Sequence, residues 1–286
     1  MSYGANTYSN ISAFVNTIYD GAMLIVRENV LAPSIVQVLT DRQGLAVRVA
    51  SEYGTATINT IGESDDLASQ VFSPTTTGTV TPAEYGGQFL LTDSRLETDP
   101  FTVRADAAQE LGDAMVENID TKVFGNLSSL TGGSVGTSGS AISWTYVFNG
   151  FALLRGLKMT PPYVCVMHPY QWNILARAAS VAGSASNASE QLKQRVNSNY
   201  MASVIGNDYL IVQTSLVQTA STDAYAGFWS LNRPPILLDV RRAPRLEPER
   251  DASRRAWELN MSGVFGHGAW KPARGVYGIF ALTTPA

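Results

Sequence analysis

Residues 48–96 read RVASEYGTATINTIGESDDLASQVFSPTTTGTVTPAEYGGQFLLTDSRL, and this stretch decides the fold. Strand-like alternation appears at Thr55–Ile61, and a second β-prone run at Gln88–Thr92. Between them lie Gly62, Pro74, Gly78, Pro82, Gly86 and Gly87 among many threonines and serines, the residues of bends and turns. The pattern predicts a long, polar, two-stranded excursion. An isolated hairpin is marginal in water, so the excursion cannot form a core of its own. It needs a surface outside itself to lie on.

Immediately downstream, Asp99-Pro100 supplies an N-cap acid and a first-turn proline, and a helical pattern runs from there to about Phe124. Ala108, Leu111, Met115, Ile119 and Val123 form one apolar stripe at spacings of three and four. Asp106, Glu110, Asp113, Glu117 and Asp120 recur at the same spacings on the opposite face, within an arc of about 80°. Clustered carboxylates can hold a metal or move protons, but no histidine joins these. The stripe reads as solvated or interface-facing charge.

Outward from these two elements the chain is mixed. The first ten residues are polar, without the basic start and apolar stretch of a secretory signal. A helical stretch, Ile11–Tyr19, and an apolar segment, Ala22–Leu39, follow them. Beyond the helix, a Gly- and Ser-rich loop (Thr131–Ser140) opens an α/β region. Its elements are a helix from about Thr145 to Lys158, a buried strand Tyr163–Met167 after Pro161-Pro162, and a helix from Pro169. After polar Ala182–Ser189 come a short helix to Met201 and strands at Tyr209–Gln213, Tyr225–Leu231 and Ile236–Val240. Trp257, Leu259, Met261, Gly263 and Phe265 alternate with Glu258, Asn260, Ser262 and Val264, which predicts a long strand with one buried face. A last apolar strand is Val276–Leu282.

Composition narrows the function classes. Of the 286 residues 45% are hydrophobic and only 15% charged, well under the usual quarter, which suits a chain that hides surface against neighbours. The single cysteine, Cys165, excludes an intrachain disulfide and a cysteine-rich zinc site. No apolar run approaches the roughly 20 residues of a membrane span. Residues 1–120 carry a net charge of −11 and residues 121–286 one of +7. Such polarity suits contact between the halves, within or between subunits, and is poorly suited to coating DNA, which calls for a basic face.

Several motifs invite a chemical reading. Gly132-Gly133-Ser134-Val135-Gly136 fits the G-x-S-x-G pattern of serine hydrolases, but that pattern needs a strand before it and a helix straight after. Here it lies in a loop-like run, so a hydrolase is a weak rival reading. His168 and His267 are the only histidines, too few for a zinc centre. Cys165 sits in a buried β-run and reads as a small core residue. Arg241, Arg242, Arg245, Arg250, Arg254 and Arg255 cluster, interrupted by Glu247, Glu249 and Asp251. A nucleic-acid patch is one reading. Intersubunit ion pairs with the acidic first half, including Glu63, Asp65 and Asp66 of the excursion, are the preferred one. No Gly-rich phosphate loop occurs.

The element order resembles the Hong Kong 97-type α+β fold of tailed-phage major capsid proteins: N-terminal arm, extended β-hairpin E-loop, long spine helix, compact α/β domain, returning strand and short terminal strand. Local phrases are similar too: Asn118-Ile119-Asp120 near the spine-helix end, Tyr163 to Trp172 as a strand followed by an "HP..w" turn, Gly263-Val264-Phe265-Gly266, and Arg274-Gly275-Val276. The resemblance implies an arm and lead-in at 1–47, an E-loop at 48–96 lying over an adjacent subunit, a peripheral domain at 97–130 with 246–272, and an axial domain at 131–245 with 273–286.

By the same resemblance the chain is a structural protein, not an enzyme. It self-assembles as pentamers and hexamers into an icosahedral virion head, formed in the bacterial host cytoplasm, that encloses double-stranded DNA without sequence-specific binding. No cofactor, metal or membrane is implied. A portal is an implied partner, decoration proteins are left open, and the short arm points to a separate scaffolding protein. An encapsulin-like, cargo-enclosing shell is the alternative. Lys122, Lys158, Lys193 and Lys271 all fall outside the E-loop, so the lysine–asparagine cross-link of the fold's type member is not expected.

Overall fold

The computed structural model describes residues 31–53, 56–61, 63, 66, 69–98, 103–182, 201–203 and 209–284. Ile11–Tyr19, Asp65, Asp99-Pro100 and the segment 183–200 lie outside the described residues.

The chain divides into two units. One holds Glu84–Ile119 and Arg242–Val264 together with the first thirty residues; the other holds Leu31–Ala83, Asp120–Arg241 and Phe265–Ala286.

The larger unit is built on a seven-stranded sheet of order β5-β13-β10-β6-β8-β7, with β9 paired to β10. Its strands are β5 (Ser134–Val135), β6 (Tyr163–Met167), β7 (Met201–Ser203), β8 (Tyr209–Gln213), β9 (Thr219–Ala220), β10 (Asp223–Ser230) and β13 (Gly275–Ala281). Every residue of β6 is buried, as its uninterrupted apolar sequence requires of a strand covered on both faces. The parallel β6/β8 pair and the antiparallel β10 set the register, with Cys165 opposite Ile211 on one side and Phe228 on the other. Helix Trp144–Gly156 buries Val147, Gly150, Phe151 and Leu154 against this sheet. Gly150 is required there, because a Cβ would meet the Phe228 ring at 2.8 Å.

The next helix, Pro169–Ala182, starts with a reciprocal cap. His168 Nδ1 accepts the Tyr170 N–H at 3.1 Å, while Gln171 Oε1 accepts the His168 N–H at 3.3 Å. This is a capping box with histidine in the serine or threonine role. Gln171 Nε2 also donates to Ala224 O at 2.9 Å, tying the helix start to the sheet. The His168-Pro169-Tyr170-Gln171-Trp172 phrase is therefore a structural device.

In the smaller unit, Leu91, Leu111 and Leu259 form a core with Leu96, Val103, Ala107, Leu246 and Met261 around them. Leu111 and Met115 of the long helix are buried, as the apolar stripe predicts. That helix runs Val103–Phe124, and a short helix not foreseen in the sequence, Asp93–Thr98, precedes it.

Three expectations change. The excursion's hairpin pairs β2 (Arg48–Tyr53) with β3 (Pro74–Val80), not Thr55–Ile61 with Gln88–Thr92. Residues 56–61 carry no strand, and Gln88–Thr92 belongs to β4 (Pro82–Thr92), in a four-stranded sheet of order β1-β11-β12-β4. The expected strand Ile236–Val240 extends through Pro244 and Pro248 to Asp251 as β11, beside β12 (Ala256–Ala269). Both prolines lie beyond Leu237, Leu238 and Asp239, the residues that β1 (Gln37–Leu39) pairs with, in the part of β11 where the described residues give that edge no further partner. Finally, Met201–Ser203 is a strand rather than a helix end.

Candidate functional site

The base of the β2–β3 hairpin is fastened to its own subunit by charge. Arg48, the first residue of β2, is buried and donates through Nε to Asp239 Oδ2 at 3.0 Å and through Nη2 to Asp41. Burial alone would lower the Arg48 pKa, but the two carboxylates more than offset it and hold it above its ordinary value. Arg48 in turn holds the Asp41 carboxyl below the usual range. Arg241 donates to the same Asp239 oxygen from Nε at 2.8 Å and to Ala46 O from Nη2 at 3.1 Å. Further along, Glu52 pairs with Lys271 at 3.3 Å and with Arg274. Thr77 Oγ1 donates to Trp270 O at 3.2 Å. A Cβ on Gly78 would lie 2.6 Å from the carbonyl oxygens of Ala269 and Trp270, so only glycine allows this backbone approach.

The outer side of the same hairpin is apolar. Strand alternation turns Arg48, Ala50 and Glu52 inward and Val49, Ser51 and Tyr53 outward. Leu45 and Val47, just before the strand, are also exposed, and Val49 and Tyr53 are 55% and 57% exposed. Tyr53 stacks on Phe72 with ring centroids 4.5 Å apart and planes 10° from parallel. Farther out, Ile58 is 91% and Val71 89% exposed. This polarity is inverted: the charged face meets the protein's own body and the apolar face meets solvent. Large exposed apolar patches mark interaction surfaces.

The arginine cluster is mostly engaged at home. Arg241 is buried and pairs with Asp239 inside the subunit. Arg242 pairs with Glu84, Arg245 with Glu247 at 3.0 Å, and Arg254 with Asp251 and Glu258 at 3.6 Å each. Arg250 grips Asp93 through two bonds of 2.9 and 2.6 Å, and its guanidinium lies over the Trp257 ring, as does that of Arg104. Arg255 takes the left-handed turn position, φ 49°, between β11 and β12. Of the loop acids, Glu63 and Asp66 are exposed.

The acidic stripe divides. Asp106 is exposed, and Glu110, Asp113 and Glu117 are half-buried. Asp120 is not part of any exposed face: only 1% of it is accessible. Its carboxylate accepts the backbone N–H groups of Leu31 at 2.8 Å and Ala32 at 3.1 Å, the start of helix Ala32–Ile35. Nothing in its spacing distinguished it from the other four, because the partner lies about ninety residues earlier in the chain.

The serine-hydrolase pattern does not meet its structural requirement. Ser134–Val135 forms a short edge strand parallel to β13, and the next helix begins only at Trp144. Cys165 is fully buried, and burial pushes its thiol pKa well up. His267 Nδ1 lies 3.0 Å from Asn126 Nδ2. Among the described residues no group of three or more potential ligands could hold a metal ion.

The family model described as phage capsid protein matches residues 75–278. Among solved structures, the head of Helicobacter pylori bacteriophage KHP40 aligns over 99% of this chain and 100% of its own, at 11% identity and TM-score 0.69. The capsid of Ralstonia phage GP4 aligns over 100% of both chains at 12% identity and TM-score 0.66. That of cyanophage P-SCSP1u aligns over 91% of both at 11% identity and TM-score 0.68. No curated protein matches. With a fold shared over essentially its whole length and a family match over most of it, the chain belongs to the phage capsid protein family and carries the Hong Kong 97-type α+β fold.

Proposed function

We propose that this protein is the major shell subunit of a tailed bacteriophage head, assembling with itself as pentamers and hexamers around double-stranded DNA. The observation that carries this reading is the hairpin whose apolar side chains Val47, Val49, Tyr53 and Phe72 are exposed, uncovered by any of the described residues. A neighbouring copy covers it, and one such contact repeated round a closed ring builds a capsomer. On this reading residues 48–96 are the E-loop, 97–130 with 246–272 the peripheral domain, and 131–245 with 273–286 the axial domain.

The role is structural and needs no catalysis or cofactor. Asp106, Glu110, Asp113 and Glu117 face the shell interior, where negative charge keeps packaged DNA from adhering. Arg254 and Arg255, at the exposed turn between β11 and β12, border a neighbouring subunit. A scaffolding protein and a portal complete the head, which forms in the host cytoplasm. The phage capsid family match favours this reading over an encapsulin-like compartment.

Electron microscopy of particles purified from infected cells tests the proposal. The expected result is closed shells containing nucleic acid, with a portal at one vertex. Shells that carry enzyme cargo and no portal would overturn it in favour of the compartment, and a chain that never leaves the monomeric state would overturn both.

A further inference from the structure

We infer that the hairpin binds the adjacent copy through an apolar seam made by Leu45, Val47, Val49, Tyr53 and Phe72, and not through ion pairs. The inference rests on the shell reading and specifies the chemistry of its contact. Three observations carry it.

First, the charged groups at the base of the hairpin and on its flanks are already paired within one copy. Arg48 is bound to Asp239 and Asp41, Glu52 to Lys271 and Arg274, Arg242 to Glu84, and Arg250 to Asp93. Recruiting any of them to a neighbour would first break a pair at home.

Second, the hairpin cannot turn its apolar face inward. A strand has only two faces, and rotating β2 by one residue would carry Arg48 and Glu52 into solvent while burying Val49 and Tyr53 against Asp239, Lys271 and Arg274. Removing their partners from those buried charges is heavily unfavourable. The apolar side is therefore locked outward.

Third, the seam is preorganised. The Tyr53–Phe72 stack spans the open end of the β2–β3 ladder, where Tyr53 faces Pro74, so two rings are fixed before any partner arrives. Aromatic anchors held in place dominate interface energies, because little side-chain freedom is lost on binding. The occupant is a second copy of this chain. Between Arg48 and Arg95 the sequence has six acids and no base, while residues 121–286 carry a net charge of +7. The basic half of a second copy thus offers the loop long-range attraction that brings it close, while the apolar contact holds it.

The test is assembly of purified full-length protein at about 0.1 M and about 1 M sodium chloride, where the Debye length falls from about 10 Å to about 3 Å. It is run on the natural sequence and on the double variant Val47→Thr/Val49→Thr, whose side chains keep their shape and strand preference. Because both valines are exposed in the subunit, the variant's thermal midpoint as a monomer stays unchanged. The inference expects particles of the natural sequence to form and persist at both salt concentrations. It expects the variant to need at least about tenfold more protein to assemble. Dissolution of natural particles at the higher salt, or assembly of the variant at the natural concentration, would overturn the inference alone. No particles from the natural sequence under either condition would overturn the shell reading.

Discussion

The Asp120 carboxylate accepts the N–H of Leu31 at 2.8 Å, in a site that solvent does not reach. This one bond, with its companion to Ala32, ties the start of helix Ala32–Ile35 to the end of the long helix. Asp120→Ala leaves two buried N–H groups without acceptors, each costing about 1–3 kcal/mol. Chemical denaturation should register a loss of about 2–4 kcal/mol, and Asp120→Asn, which keeps one acceptor, about half of that. A loss below 0.5 kcal/mol for the alanine variant, roughly the scatter of a surface change, would contradict the assigned role.

Asp239 receives two buried guanidinium groups, and its removal leaves Arg241 without a carboxylate and Arg48 with Asp41 alone. Asp239→Ala should cost about 3–5 kcal/mol in unfolding free energy, and Arg241→Ala should also fall in the range of a broken buried pair. Arg254→Ala, at a solvent-exposed pair, should stay within about 0.5 kcal/mol. Similar values for Arg241→Ala and Arg254→Ala would show that the arginine cluster is not divided between core and surface in this way.

The sequence made the strands of the larger unit plain and the hairpin obscure, and the reason is physical. Tyr163–Met167 and Tyr209–Gln213 are apolar runs bounded by turns, and a buried strand is written locally. The strand Arg48–Tyr53 is not, because its inward positions are Arg48 and Glu52. Charged residues point inward only when distant partners exist, here Asp239, Lys271 and Arg274, and no window of neighbouring residues reveals them. The alternation at Thr55–Ile61 had no such partner strand to pair with. Asp120 was hidden in the same way by Leu31. At the candidate site the loop was therefore legible as a surface-seeking segment, but which of its faces seeks the surface was not.

His267 supplies a pH dependence. Burial, and then the nearby positive charge of Lys122, lower its pKa below the ordinary 6.5. The unfolded chain therefore takes up a proton at higher pH than the folded one does. Stability from this group is complete above about 6.5 and declines as pH falls through that value toward the lowered folded pKa. Thermal midpoints measured from pH 7.5 down to pH 5, a range that spans the usual histidine titration, should fall less for His267→Gln than for the natural sequence. Parallel curves would remove His267 from the account.

Gly136 closes the serine-hydrolase-like phrase for a backbone reason. Its φ of +77° is left-handed, and a Cβ there would meet Ile279 O at 2.8 Å and the Phe280 ring. Gly136→Ala should destabilise by about 2 kcal/mol or more. Ser134→Ala, on an exposed edge position, should alter neither stability nor particle formation. Loss of an esterase activity in the serine variant would restore the hydrolase reading.

The interior role proposed for the acidic stripe makes its own prediction. Glu110→Arg/Glu117→Arg should form shells yet package less DNA, read as the ratio of full to empty heads in a density gradient. An unchanged ratio would remove electrostatic repulsion as the reason for the stripe.

Hydrogen exchange of the loop, compared between isolated subunits and assembled shells, puts the central claim to its most direct trial. Amides of residues 56–61 and 69–73, beyond the hairpin ladder and apart from Thr57, whose N–H donates to Gln70 Oε1, should exchange freely in the subunit and become protected in the shell, while Tyr163–Met167 stays protected in both. Equal protection of the loop in both states would mean that its own subunit already covers it, and that no neighbour is needed.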